Sequence, residues 1–410
     1  MTSFKTLDVL DAKGKIVLLR ATLNVPVQNG KVTDATRIQR LVPTLQELQK
    51  QGARVVILSH FGRPKGRDAA FSLAPVRTAL EKELGAPVAF ADDCVGDTAK
   101  NAIKTLQNGQ VLLLENVRFH PEETKNDPAF AQKMADLGDV YVNDAFPDAH
   151  RAHASTESIA RLLPAYAGRL MEAELKALSA ALENPERPVT AIVGGAKIST
   201  KLDLLNNLVT KIDTLVLGGG MANTFLHALG TDVGASLCEK DMADAARKIM
   251  ETARRHNCRI LLPVDGITAK EFRANAPAQE KDNADISADD MILDIGPKST
   301  DAIKDVLRQS KTLLWNGPLG AFETPPFDAA TMDTAKDVSD LTQSGKLVSI
   351  AGGGDTIAAL AQAGTVDDMT YVSTAGGAFL EWLEGKELPG VAALSHAMPD
   401  SAKPKHPSCG

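Results

Sequence analysis

Aromatic residues are scarce in this chain: two Trp, three Tyr and twelve Phe among 410 residues, against abundant Ala, Val and Leu. Such a composition suits helices laid on parallel sheets better than an antiparallel sandwich. The four cysteines, Cys94, Cys238, Cys258 and Cys409, stand far apart with no C-x-x-C pair, which argues for reduced thiols over disulfides or zinc. No stretch has the length and apolarity of a membrane span, and the opening MTSFKTLDVLDAKGK lacks the apolar core of a secretory signal, so a cytoplasmic location is expected. Two familiar nucleotide-handling designs are also missing, since there is no G-x-x-x-x-G-K-[ST] and no HRD/DFG pair. A nicotinamide site would want G-x-G-x-x-G after the first strand, and RATLNVP has no glycine.

What the chain does have is a recurring unit, a short apolar run that breaks into a polar or glycine-rich loop. IVLLRATLNVP, VVILSHFGRPKG, VLLLENVRFHP and VYVNDAFPDAHRAH come first, followed by TAIVGGAKIST, TLVLGGGMANT, RILLPVDG, TLLWNGPLGAFE and LVSIAGGGDT. Runs of four or five apolar residues predict strands covered on both faces, and amphipathic segments such as TRIQRLVPTLQELQKQG predict crossover helices. The length exceeds what one core usually supports. The expectation is therefore an α/β protein of two doubly wound, Rossmann-like parallel sheets with a central cleft. Residues 1–168 would form the first domain, 169–188 a connecting helix with leucines at 170, 175, 178 and 182, and 189–388 the second domain. Residues 389–410 would return to the first domain and end in a disordered tail.

The two halves differ in charge and in loop chemistry. Residues 1–168 carry 21 Lys+Arg against 19 Asp+Glu, a net of +2, which leaves 24 against 33, or −9, for the rest. A slightly basic half with no basic tract suits a small anion, and neither nucleic acid nor a membrane is expected as a partner. In open parallel sheets ligands bind beyond the carboxyl ends of the strands. There the first half supplies Arg20, Asn24, His60, Arg63, Arg118, His150 and Arg151, the second half glycine clusters at 194–195, 218–220 and 352–354. Charged forks hold an anion directly, whereas glycines let backbone N–H groups approach phosphates or a flat base. For Arg20 a surface role in solvent or a salt bridge is as good a reading as binding, and His150 and His153 fit a basic patch better than a metal pair.

Ten segments in order carry a family resemblance: the near-match RATLNVP, then SHFGRPKG, LLENVRFHPEE, YVNDAFPDAHRAHAST, AIVGGAKIST, GGGMANTFL, DIGPKST, WNGPLGAFE, AGGGDT and STAGGAFLEWLEGKELPGVAAL. Through them the chain resembles the phosphoglycerate kinases from about residue 5 to 395. The resemblance implies reversible phosphoryl transfer between 1,3-bisphosphoglycerate and ADP, giving 3-phosphoglycerate and ATP with magnesium, in a monomer whose domains close for in-line transfer. By motif position, Thr22, Leu23, Asn24, Arg37, His60, Phe61, Gly62, Arg63, Arg118 and Arg151 would bind the three-carbon acid. Gly195, Lys197, Lys201, Gly219, Gly296, Asn316, Pro318, Glu323, Gly353, Gly354, Asp355 and Thr356 would bind the nucleotide, with Lys197 and Lys201 near the phosphates, Glu323 on the ribose and Asp355 on Mg²⁺. Arg37, Lys197 and the backbone amides near Gly354 and Gly376 would stabilise the phosphoryl group in flight.

The chain also departs from the pattern. Thr22 stands where the motif R-x-D-[LF]-N-V-P has an aspartate expected to accept a bond from the substrate hydroxyl. Its loss predicts weaker substrate binding, by about 1–2 kcal/mol or roughly tenfold. Pro147 and Asp148 replace a small pair such as Gly-Thr, and the Asp148 carboxylate is expected near Arg151, where it would compete with the anion. Ala375 takes a position that is often glycine. These changes keep open a rival reading, a catalytically weak homologue serving as a binding or scaffold protein.

Overall fold

The computed structural model describes residues 4–395, so the expected disordered end of the chain lies outside the described residues. Two compact units emerge, one of residues 4–175 with 387–395 and one of residues Lys176–Lys386. Among the described residues no helix is long and apolar enough to cross a membrane.

The first unit contains β1 (Ile16–Arg20), β2 (Val27–Gln28), β3 (Lys31–Val32), β4 (Arg54–Leu58), β5 (Val88–Ala91), β6 (Val111–Leu114), β7 (Val140–Asn143) and β8 (Ala165–Ala167). Its helices are α1 (Thr36–Lys50), α2 (Ala74–Leu84), α3 (Gly96–Thr105), α4 (Pro128–Ala135) and the short α5 (Ile159–Leu162). Six strands make a sheet in the order β5-β6-β4-β1-β7-β8, with every pair parallel. β1 and β4 are buried from their second residue onward and β6 and β7 throughout, because helices cover both faces. Helix α1 turns Ile38, Leu41, Leu45 and Leu48 into the core at helical spacing. The chain leaves β1 in one direction and β7 in the other, so the topological switch point lies between their carboxyl ends. β2 and β3 form a hairpin on Asn29 and Gly30, both at positive φ as a two-residue turn of this kind requires.

Helix α6 (Arg169–Leu182) follows, and the division between units falls inside it, between residues 175 and 176. Its first turn is fixed by Asp144, which accepts bonds from the amides of Leu170 (2.8 Å) and Met171 (3.1 Å), and by Arg169, which pairs with Asp8, Glu47 and Glu172. Asp144 is fully buried, and burial pushes its carboxyl up to about 6.

The second unit has β9 (Val189–Val193), β10 (Thr214–Leu217), β11 (Arg259–Leu261), β12 (Asp265–Ala269), β13 (Ala278–Asp282), β14 (Met291–Ile295), β15 (Thr312–Asn316), β16 (Val348–Gly352) and β17 (Tyr371–Ser373). Its helices are α7 (Leu202–Leu208), α8 (Gly219–Ala228), α9 (Ala243–Arg255), α10 (Pro297–Gln309), α11 (Ala329–Gln343), α12 (Gly354–Ala363) and α13 (Gly377–Leu383). A second all-parallel sheet runs β11-β10-β9-β15-β16-β17, with its switch point between β9 and β15. An antiparallel sheet β13-β12-β14 stands apart from it. Finally α14 (Pro389–Ser395) belongs to the first unit, where the Gly390 amide donates to the Ala149 carbonyl at 2.9 Å.

The glycines at the strand ends differ in what they accommodate. A Cβ on Gly194, at the end of β9, would lie 1.7 Å from the Pro318 carbonyl oxygen, whereas one on Gly354, at the start of α12, would meet nothing within 4 Å. Gly194→Ala is therefore expected to destabilise the protein by about 2–3 kcal/mol or prevent folding, and Gly354→Ala to stay within about 0.5 kcal/mol of the parent. Urea denaturation midpoints measured side by side check both.

Candidate functional site

Each unit has a pocket beyond the carboxyl ends of its strands, and some of the expected residues line it, while others stand behind or beside it. In the first unit a pocket of about 430 Å³ is lined by Arg63, Lys65, Arg118, Arg151 and His153 among others. Arg118 is mostly buried: its NH1 donates to the Gly62 carbonyl at 2.8 Å, while its buried Nε has no hydrogen-bond partner. Burial, together with the neighbouring Arg20 and Arg151 charges, holds the guanidinium below its usual pKa despite Asp148 and Glu123.

Behind the pocket lies a charge network with Arg20 at its centre. Arg20 is fully buried, which corrects the surface reading. Its Nε donates to Ser155 Oγ at 2.8 Å, NH1 to the Ala21 carbonyl, and NH2 to His60 Nδ1 at 3.1 Å. Ser155 in turn donates to the fully buried Glu123 at 2.6 Å. Because Arg20 can only donate, His60 Nδ1 is the acceptor and the proton sits on Nε2. Burial pushes His60 down to about 3 and His153 to about 4, in each case with help from Arg20 and Arg118 and against Asp148. Both rings are thus neutral, and the expectation that histidines add to the positive charge is corrected.

The same network settles where Thr22 and Asp148 stand. Asp148 follows β7, Thr22 follows β1, and the Thr22 hydroxyl donates to Asp148 Oδ2 at 2.9 Å. Arg20 NH2 lies 3.3 Å from the same oxygen. The carboxylate thus pairs with Arg20 and Thr22, not with Arg151 as expected. Burial works to raise its pKa and is outweighed by the Arg20 and Arg118 charges and the Thr22 bond, which keep the carboxylate below its usual range. Pro147 lies inside the 3-10 turn Phe146–Asp148, whose closing bond runs from the Ala149 amide to Phe146, so its missing N–H leaves no gap there.

The remaining first-unit residues form a scaffold around these. The Arg37 guanidinium donates to the Asn24 carbonyl, and Asn24 Oδ1 accepts from the Gly62 amide at 2.9 Å, tying the loops after β1 and β4 to α1. Leu23 is fully buried with its amide bonded to Ser59 Oγ, so it supports the wall from behind. Phe61 donates its amide to Asn116 Oδ1, and Asn116 Nδ2 donates to the Phe61 and Phe71 carbonyls at 2.7 and 2.9 Å. Asn116, Ser59, Ser155 and Glu123 do not stand out in the sequence. An Asn two residues after an apolar run, before Val-Arg, is the available signal, since its side chain caps the short turn that carries Arg118.

In the second unit a pocket of about 570 Å³ includes Gly195, Gly219, Pro318, Glu323 and Asp355 in its lining, with Leu237 and Phe272 as apolar walls. The last two side chains are exposed and carry no motif that would mark them in the sequence. Lys201 is half-buried and its ammonium bonds the Gly194 carbonyl (2.8 Å), the Asn316 carbonyl (3.2 Å) and Asn316 Oδ1 (2.7 Å). Burial pushes it down to about 8, against the pull of Asp355. Lys197 is exposed, and its ammonium has no hydrogen-bond or ion-pair partner among the described residues. Asn316 Nδ2 and Thr356 Oγ1 both donate to the Gly352 carbonyl, so these two residues fasten β15 to the loop that ends in Gly353. Gly354 and Gly376 stand at the starts of α12 and α13 with open space beside them. Gly296 is not on the pocket wall; it precedes α10, where a Cβ would strike the Asp265 carboxylate at 2.2 Å. Ala375 is buried.

A magnesium ion accompanying a nucleotide can be tested against this pocket. Asp355 is exposed in the first turn of α12, and its carboxylate has no hydrogen-bond or ion-pair partner among the described residues. One free carboxylate beside a phosphate-sized space fits Mg²⁺, which takes one or two carboxylates and draws its other ligands from phosphates and water.

Comparison with known proteins agrees with this geometry. The family model described as phosphoglycerate kinase matches residues 7–386. The chain is 63% identical over 393 residues to a phosphoglycerate kinase of Rhodospirillum centenum and 60% identical over 398 residues to one of Methylorubrum extorquens, in each case covering 96% of this chain and 99% of the relative. Among solved structures it is similar to the phosphoglycerate kinase of Coxiella burnetii, with a TM-score of 0.90 and 44% identity over 96% of this chain and 99% of that one. The enzyme of Pyrococcus horikoshii OT3 gives a TM-score of 0.77 at 31% identity over 95% of this chain and 98% of that one. On the strength of a match that spans both sheets and both switch points, the chain belongs to the phosphoglycerate kinase family.

Proposed function

We propose that the chain transfers a phosphoryl group reversibly between the carboxyl phosphate of 1,3-bisphosphoglycerate and ADP, giving 3-phosphoglycerate and ATP. The observation that carries this reading is the division of labour between the two pockets: guanidinium groups rim one, and glycine loops with Glu323, Asp355 and apolar walls line the other.

The acid is held in the first pocket. Arg63, Arg118 and Arg151, which line the pocket, take the phosphate, since each guanidinium fork bonds two oxygens. Arg37, Asn24 and neutral His60 face the carboxyl end, where Nε2–H of His60 donates. In the second pocket Leu237 and Phe272 flank the base, Glu323 takes the ribose, and the amides at Gly195, Gly219 and Gly354 meet the phosphates. Lys201 braces the strand ends that form the phosphate loop, whereas Lys197 is free to reach the moving group. Asp355 would hold Mg²⁺, which when bound neutralises charge on the nucleotide phosphates.

Phosphoryl transfer needs little covalent help and much positioning. Arg37, Lys197 and the amides near Gly354 and Gly376 stabilise charge on the phosphoryl group as it passes in line.

A coupled assay with 3-phosphoglycerate and MgATP is expected to give turnover at ordinary enzymatic rates, about 10 s⁻¹ or more; absence of turnover with both ligands bound would favour the scaffold reading. Lys197→Ala is expected to lower kcat about 100-fold at an unchanged denaturation midpoint, whereas Lys201→Ala lowers the midpoint as well, because the Gly194 carbonyl and Asn316 Oδ1 lose the ammonium that bonds them. In Asp355→Asn the Mg²⁺ concentration for half-maximal rate should rise about tenfold with the Michaelis constant for 3-phosphoglycerate unchanged, as a magnesium titration of initial rates would reveal.

A further inference from the structure

Two of the positions at which the chain departs from the family motif touch each other. Thr22 lies on the loop after β1 and Asp148 on the turn after β7, 126 residues apart in sequence, and their side chains share a hydrogen bond of 2.9 Å. Where the motif has a carboxylate at 22 and a small residue, such as Thr, at 148, this chain has the hydroxyl at 22 and the carboxylate at 148.

We propose that the pair is an exchange: Asp148 supplies, from the opposite lip of the switch point, the carboxylate missing at position 22, and accepts the hydrogen bond of the substrate's 2-hydroxyl. The inference rests on the reading of this pocket as the site of the three-carbon acid.

Three observations support it. Asp148 Oδ2 receives Thr22 and Arg20, while Oδ1 has no hydrogen-bond partner among the described residues and is not one of the buried polar atoms left without one. Oδ1 therefore keeps a little exposed surface, on a side chain 8% exposed, and a lone pair with which it can accept. The carboxylate is held rigidly, since Pro147 stiffens its 3-10 turn and α14 braces the next residue through the bond from the Gly390 amide to the Ala149 carbonyl. Its charge is already balanced by Arg20, so Arg63 and Arg151 remain for the phosphate. The weakening that the loss of Asp at 22 would otherwise bring is then absent from the parent protein.

The test is a cycle over both positions, Asp148→Thr, Thr22→Asp and the double exchange. Each protein is assayed for its Michaelis constants with 3-phosphoglycerate and with MgATP, and for inhibition by 3-phosphonooxypropanoate, the same acid without its hydroxyl. Asp148→Thr should raise the Michaelis constant for 3-phosphoglycerate about tenfold, leave that for MgATP within twofold, and leave binding of the dehydroxy acid unchanged. The double exchange should return the constant for 3-phosphoglycerate to within about threefold of the parent. Asp148→Asn, which keeps the size of the side chain, serves if Asp148→Thr does not fold, with the same loss of preference for the hydroxylated acid expected. Equal loss of affinity for both acids, or an unchanged Michaelis constant in the single variant, overturns the proposal and leaves Asp148 as a partner of Arg20 only. A double exchange worse than either single variant overturns it also. A parent without any turnover of 3-phosphoglycerate would instead defeat the functional reading on which the inference stands.

Discussion

A guanidinium with no exposed surface sits at the end of β1, and the first unit is arranged around its needs. Removing such an ion from water costs several kcal/mol unless its donors are met and its charge is balanced. Arg20 meets these demands through Ser155, the Ala21 carbonyl, His60 and Asp148, with Glu123 behind Ser155. The loops after β1, β4 and β7 are thereby tied to one buried cation. Their rim arginines can then present charge to a ligand without spending it on the protein. The neutrality of His60 and His153 follows from the same cause, because a second buried proton beside Arg20 and Arg118 would go uncompensated.

The second unit solves the opposite problem, making room. Gly194 and Gly218 let the loop after β15 cross the strand ends at contact distance, a packing requirement. Gly354 and Gly376 face open space and so keep helix amides approachable. Lys201 joins the two tasks: its ammonium holds three oxygens from the β9 and β15 ends, fixing the loop geometry that the glycines permit. Glycine clusters that look alike in sequence therefore divide into those that serve the fold and those that can serve a ligand.

Much of this is legible in the sequence, for physical reasons. Strands buried on both faces leave continuous apolar runs, and β1, β4, β6, β7, β9, β10, β15 and β16 stand where those runs predict them. β5, β8 and β17 escape such a reading, because three or four residues such as AYA carry too little pattern to stand out. The hairpin β2-β3 escapes it despite its Asn-Gly signal, because its strands are two residues each. At the site, residue identity is legible and environment is not. Arg20 reads as a surface ion until the sheet buries it, and the histidines read as cations until Arg20 and Arg118 are set beside them. The partnership of Thr22 and Asp148 cannot be read at all, since contact between residues 126 positions apart exists only after β1 and β7 pair.

The last helix of the described chain has a consequence for how the protein is made. Helix α14 packs on α5, on β8 and on the turns after β7, yet it is joined to them only through the entire second unit. A nascent chain emerging from the ribosome can form the first sheet early, but it must wait until the whole second unit has been made before the piece that closes it arrives. During that interval the faces destined for Val391, Ala393 and Leu394 stand open, so the order of synthesis and the order of completion differ within one polypeptide.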